Sequence, residues 1–106
     1  LGDIGEHFPN TDKKYKGISS LRLLEKVAGL LKKKKISVGN IDVMLLLESP
    51  KIGPYKSMMR RRIAKALKIK MDAVSIKATT NEGVGAVGRG EAAAAYAVAL
   101  VDRREL

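Results

Sequence analysis

Between Ser19 and Lys35 the apolar positions Leu23, Leu24, Val27, Leu30 and Leu31 recur at spacings of three and four, which predicts an amphipathic helix of about three turns. Ser19 and Ser20 precede the stripe, where a hydroxyl can accept a bond from one of the first free helical N–H groups. The pattern then changes. Over Ile36 to Ser49, Ile41, Val43 and the unbroken run Met44 to Leu47 predict a strand buried on both faces. Glu48-Ser49-Pro50-Lys51-Ile52-Gly53-Pro54 has to leave that strand as a rigid loop, since two prolines and a glycine cannot continue a central strand.

Pro54 suits the first position of a second helix, where its missing N–H costs nothing. Met58, Met59, Ile63, Ala64 and Leu67 form the inner face of that helix. From Ala73 to Thr79, Val74, Ile76 and Ala78 alternate with Ser75, Lys77 and Thr79, the signature of a half-buried strand. Glu91 to Val101 carries two signals: its alanines favour a helix, while Tyr96, Val98 and Leu100 alternate, and the alternation tips the reading to a strand. The order is loop, α, β, α, β, loop, β. It predicts an α/β fold of the α+β sandwich type, one domain over residues 1–106, with helices on one face of a small mixed sheet.

A chain of 106 residues holds one small core. One Phe, three Tyr and no Trp leave that core to Leu, Ile, Val and Ala. The net charge of +10 suggests an acidic partner, and much of the surplus lies in Lys32 to Lys35 and Arg60 to Arg62. At the end of a helix the lysine run complements the helix dipole, and this reading is preferred to a dedicated nucleic-acid patch. A basic module holding RNA, DNA or another polyanion stays an alternative, although the chain has no aromatic stacking surface for bases. The absence of Cys excludes disulfides, thiol nucleophiles and thiolate metal sites. No apolar run approaches the roughly 18–20 residues of a membrane span. The chain opens on Leu1-Gly-Asp-Ile-Gly rather than on Met, which reads as a chain entered partway through.

Residues 1–17 are rich in Gly, Asp, Asn, Pro and Thr and read as a functional loop. His7 is the sole histidine, and alone it makes neither a zinc site nor a catalytic relay; a surface role is expected. Lys77 to Gly90, KATTNEGVGAVGRG, carries more chemistry. Gly83, Gly85 and Gly88 spell G-x-G-x-x-G, but a dinucleotide fingerprint needs a helix and a second parallel strand afterwards, and Leu106 comes too soon for both. Thr79, Thr80 and Glu82 leave a strand end together. Their hydroxyls suit phosphate oxygens, and the carboxylate suits Mg²⁺ held between itself and phosphates. A polar hairpin loop explains the same spacing equally well.

Four ordered stretches, Gly2 to Gly17, GNIDV at Gly39 to Val43, SPKIGPYKSMMRRRIA at Ser49 to Ala64, and KATTNEGVGAVGRGE at Lys77 to Glu91, closely resemble the 2C-methyl-D-erythritol 2,4-cyclodiphosphate synthase family. The match needs no gap and covers nearly the whole chain. It implies a homotrimer with active sites between subunits, acting in the non-mevalonate isoprenoid pathway. The 2-phosphate of 4-diphosphocytidyl-2C-methyl-D-erythritol 2-phosphate attacks its own β-phosphorus and CMP departs, without a protein nucleophile. The implied partners are this cytidine diphosphate-linked substrate and further copies of the chain, with no membrane or nucleic acid; the implied cofactors are Zn²⁺ and Mg²⁺ or Mn²⁺.

Position by position, the resemblance implies that Asp3, Ile4 and Gly5 contact the ribose or substrate backbone. Phe8, Pro9, Asn10, Thr11 and Asp12 would shape the methylerythritol phosphate end. Leu47, Glu48, Ser49, Pro50, Lys51, Ile52 and Gly53 would form the cytosine pocket with Ala78 and Thr79. Thr80 would steady the transition state as the catalytic residue, Glu82 would hold Mg²⁺, and Ala86 and Arg89 would lie at a cavity on the trimer axis.

Asn10 stands where the family usually has Asp, Glu48 where it has Gln, and Ala86 where an aromatic is common. The family's zinc ligands lie in an N-terminal third of roughly 50 residues for which the chain has no counterpart, and His7 aligns with none of them. The chain therefore reads as the C-terminal two-thirds of such a domain. The location implied is cytoplasmic, or plastid if a preceding segment carries a transit peptide. A catalytically dead, nucleotide-binding paralogue is the remaining alternative.

Overall fold

Ser19 opens the first long helix as its position requires, its hydroxyl accepting the Arg22 N–H at 3.2 Å. In the computed structural model, which describes residues 1–104, the chain runs through a short helix α1 (Ile4–His7), helix α2 (Ser20–Lys33), strand β1 (Ile36–Leu46), helix α3 (Lys56–Leu67), strand β2 (Val74–Thr79), a short helix α4 (Gly85–Gly88) and strand β3 (Ala94–Arg103). β1 is central, in the order β2-β1-β3. It pairs parallel with β2, from Ile41 opposite Val74 to Leu46 opposite Thr79, and antiparallel with β3. The mixed sheet and the strand over the last segment are as the pattern predicts.

The core lies between α3 and the β1–β2 pair. Ile52, Ala64, Val74 and Ile76 are its buried centre, and Val43, Leu45, Leu47, Met59 and Ile63 pack against it. α2 packs on α3 and on β1, so both long helices cover the same face. Their directions follow from the connections: each leaves the sheet's strand-end edge and finishes at the edge where β1 or β2 begins. The C-termini of α2 and α3 therefore converge. There Lys32, Lys35, Lys65 and Lys68 surround an open cleft of about 880 Å³, setting positive charge against two negative dipole ends.

Several local expectations change. Residues 1–17 are not structureless: α1 and a 3₁₀ turn at Lys13–Tyr15 occupy them. Pro54 lies in a 3₁₀ turn, Gly53–Tyr55, and α3 starts only at Lys56. Met58 is 42% exposed and so is not on the inner face of α3. The run Met44 to Leu47 is half-buried rather than sealed on both sides, because side chains alternate and only Val43, Leu45 and Leu47 meet the helical layer. Ala78 is exposed, whereas Val74 and Ile76 are buried as expected. In β3, Tyr96, Val98 and Leu100 are 63–71% exposed, so this strand adds little to the core.

Candidate functional site

Because β1 and β2 run parallel, the loops that leave them emerge at the same edge of the sheet. In open α/β sheets ligands bind outside the carboxyl ends of the strands. Here that edge gathers Leu47 to Gly53 from β1 and Thr80 to Gly90 from β2. The Leu47 N–H donates to the Thr79 carbonyl at 3.1 Å, extending the ladder beyond the last strand residues. The Glu48 carboxylate then accepts the Asn81 N–H at 2.7 Å. The two loops are thus joined across 33 residues of sequence.

Asn81 starts a tight turn. The Val84 N–H donates to the Asn81 carbonyl at 2.9 Å, and the Asn81 side-chain amide donates back to the Val84 carbonyl at 2.8 Å. The central residues Glu82 and Gly83 have φ of 51° and 75°, the left-handed arrangement of a type I′ turn, in which Gly, Asn or Asp is usual. A glutamate there carries strain of about 1–3 kcal/mol, and its side chain is held out at the exposed tip. The Thr80 hydroxyl accepts the Glu82 N–H at 3.3 Å, and the Thr79 hydroxyl donates to the Thr80 carbonyl at 3.3 Å.

Behind the turn the backbone doubles back on itself: a Cβ at Gly88 would lie 2.2 Å from the carbonyl carbon of Gly83. G-x-G-x-x-G here builds a four-residue helix leading into an antiparallel strand, not a dinucleotide unit. Arg89 forms a two-pronged pair with Glu91 at 3.1 and 3.2 Å, with Ala86 nearby accepting the Glu91 N–H on its carbonyl.

Ser49, Pro50, Lys51 and Gly53 are exposed in the first loop, and the Ser49–Pro50 peptide is cis. Ile52 differs: the residue is 8% exposed and belongs to the core, and its carbonyl accepts the Tyr55 N–H at 2.8 Å. Alternation along β1 stops at Leu47, so nothing in the spacing distinguished Ile52 from its polar neighbours. Glu48 is the other residue whose part was hidden, since its partner is a backbone group on a distant loop.

The N-terminal residues are organised locally. The Asp12 N–H donates to the Pro9 carbonyl at 3.0 Å, making Pro9, Asn10, Thr11 and Asp12 one turn. The Asp12 carboxylate in turn accepts the Lys14 N–H at 3.1 Å. The Phe8 ring stands edge-on to Tyr15 with centroids 5.4 Å apart. Lys14 lies over the Tyr15 ring, and Tyr15 followed by Asp12 raises the Lys14 ammonium above its ordinary value. Asp3 accepts the Glu6 N–H on its backbone carbonyl, ahead of Ile4 and Gly5 in α1. His7 meets the Leu1 carbonyl. Among the described residues no hydrogen bond ties residues 1–17 to the two strand-end loops, so hydrogen bonding joins the Leu47–Gly53 loop to the Thr79–Glu82 stretch but does not bring residues 3–12 to them.

A family model described as the YgbB family matches residues 1–102. The chain belongs to that family. It is 54% identical over 103 residues to a 2-C-methyl-D-erythritol 2,4-cyclodiphosphate synthase of Chloroherpeton thalassium, covering 97% of this chain and 66% of that protein. A synthase of the same name from Chlorobium luteolum is 55% identical over 102 residues, covering 96% and 65%. The chain thus spans just under two-thirds of the length of these curated relatives. Among solved structures, the cyclodiphosphate synthase of Plasmodium vivax superposes with a TM-score of 0.80 at 36% identity, over 82% of this chain and 58% of that one. A CDP-bound structure of a protein of that name superposes with a TM-score of 0.85 at 27% identity, over 96% and 65%. The resemblance carried by the four sequence stretches is therefore one of membership in this YgbB family.

Proposed function

We propose that the chain is the C-terminal two-thirds of a cytoplasmic, homotrimeric 2C-methyl-D-erythritol 2,4-cyclodiphosphate synthase and supplies its nucleotide- and diphosphate-facing part. The observation that carries this reading is the joined pair of strand-end loops, Leu47–Gly53 and Thr80–Glu82, in a chain over 50% identical to proteins of that name. The reaction closes a ring. An oxygen of the 2-phosphate forms a bond to the β-phosphorus, the bond from that phosphorus to the bridging oxygen breaks, and CMP leaves with the electron pair. Such a transfer asks for alignment and charge neutralisation more than covalent chemistry.

On this reading the loop from Glu48 to Gly53 and the exposed Ala78 and Thr79 hold the cytosine end. Thr80 directs its hydroxyl and backbone towards the diphosphate, and residues 3–12 hold the methylerythritol phosphate. Glu82 fits Mg²⁺ or Mn²⁺: its carboxylate is exposed and makes no ion pair among the described residues, and Mg²⁺ is commonly held by one or two carboxylates plus substrate phosphates. Bound there, the cation would neutralise diphosphate charge. Zn²⁺ does not fit the same residues, since the described chain holds no group of three His, Cys, Asp or Glu side chains that could ligate one. On this reading its ligands belong to the family's N-terminal third, and Tyr96, Val98 and Leu100 on β3 offer apolar surface for further subunits or segments.

The test is thermal melting of the protein with CDP and Mg²⁺. A rise in Tm with CDP, larger with Mg²⁺ and absent in Glu82→Ala for the cation-dependent part, is expected. No shift with CDP at any Mg²⁺ concentration would remove the nucleotide assignment.

A further inference from the structure

We propose that Glu48 is a positioning residue: by accepting the Asn81 N–H it holds the turn that presents Glu82 to a divalent cation. The inference rests on the cyclase reading of this edge, and it assigns to Glu48 a part beyond lining a pocket.

The ladder between β1 and β2 delivers Glu48 to its place. The Leu47 N–H to Thr79 carbonyl bond is the last backbone rung, and Glu48 follows it directly, half-buried, with its carboxylate on the Asn81 N–H at 2.7 Å. Asn81 is engaged on every side: its N–H by Glu48, its carbonyl by the Val84 N–H, and its side-chain amide by the Val84 carbonyl. The last two bonds close the turn on itself, and only the first ties it to the sheet by way of β1. Glu82 comes next, exposed, at φ 51°, a conformation that a glutamate keeps only where its surroundings impose it.

A carboxylate on an untethered turn samples many directions, and a cation gains from one that is already aimed. Loss of the tether therefore weakens cation binding at a residue that the substitution does not touch. The acceptor oxygen does this, not the charge, so glutamine can replace glutamate and alanine cannot.

The experiment uses the full-length protein with CDP and titrates Mn²⁺ by electron paramagnetic resonance, while NMR follows hydrogen exchange at the Asn81 amide. Glu48→Ala is expected to weaken Mn²⁺ binding by about tenfold to a hundredfold, the range for partners that orient metal ligands, and to speed Asn81 exchange. Glu48→Gln is expected to restore both. Glu82→Ala should lose Mn²⁺ yet keep the Asn81 amide protected, separating ligand from tether. If Glu48→Ala matches wild type in Mn²⁺ affinity, or Glu48→Gln is as weak as Glu48→Ala, the tether is wrong while the cyclase reading stands. Wild-type protein that takes up no Mn²⁺ in the presence of CDP overturns the cyclase reading and the cation role together.

Discussion

The Arg60 guanidinium is bonded to the start of β2: its Nε donates to the Val74 carbonyl at 2.7 Å and its Nη2 to the Met71 carbonyl at 3.0 Å. One member of the Arg60–Arg62 run is thus committed to the interior edge of the fold, joining α3 to the strand that carries the site. Hydrogen bonds from a charged donor contribute about 1.5–3 kcal/mol. Arg60→Ala should lower unfolding free energy by about that amount, whereas Arg61→Ala and Arg62→Ala, on the exposed side, should stay within about 0.5 kcal/mol. Urea melts of the three variants check this, and equal losses would show that Arg60 is merely one of a charged set.

Ile52 lies in the loop that faces the site but is buried with Ala64, Val74 and Ile76. Ile52→Ala should therefore act on stability, by about 2–4 kcal/mol, and lower the denaturation midpoint. CDP affinity measured by calorimetry well below that midpoint should change much less. A variant of normal stability with lost affinity would return Ile52 to the ligand.

Glu82 occupies a left-handed position that asparagine tolerates better. Glu82→Asn should raise stability, by at most the roughly 1–2 kcal/mol that a left-handed conformation costs an ordinary residue, while abolishing cation-dependent CDP binding. Gain in melting temperature with loss of the Mg²⁺ effect is the expected pairing. If Glu82→Asn is destabilised, the turn does not carry the strain its φ indicates.

Gly88 has no room for a side chain against Gly83, while Gly53 has open space around its missing Cβ. Gly88→Ala should distort the Thr80–Gly90 loop and reduce Mg²⁺-dependent CDP binding, with the far side of the sheet intact by amide exchange. Gly53→Ala should be close to neutral in stability. The reverse ranking would mean that the close backbone approach is not needed for binding.

Much of this molecule was legible in the chain. The spacing of Leu23 to Leu31, the serine cap at Ser19, the apolar run of β1, the alternation of Val74 and Ile76 in β2 and that of Tyr96, Val98 and Leu100 in β3 are local signals. Backbone periodicity and capping depend on neighbours a few residues away, so these elements could be read before any packing was known. Thr79, Thr80 and Glu82 stand out as candidate site residues for the same reason, being close together at one strand end, where a polar hairpin loop explains their spacing equally well.

What the tertiary structure decided depends on pairs far apart in sequence. The parallel register of β1 with β2 put both loops on one edge, and only then did Glu48 meet Asn81. Packing of α3 on the sheet drew Ile52 inward and Arg60 onto Val74, against the appearance of a polar loop and a basic run. Local composition carries no information about which distant backbone group a side chain will find; close packing and the satisfaction of buried carbonyls settle that.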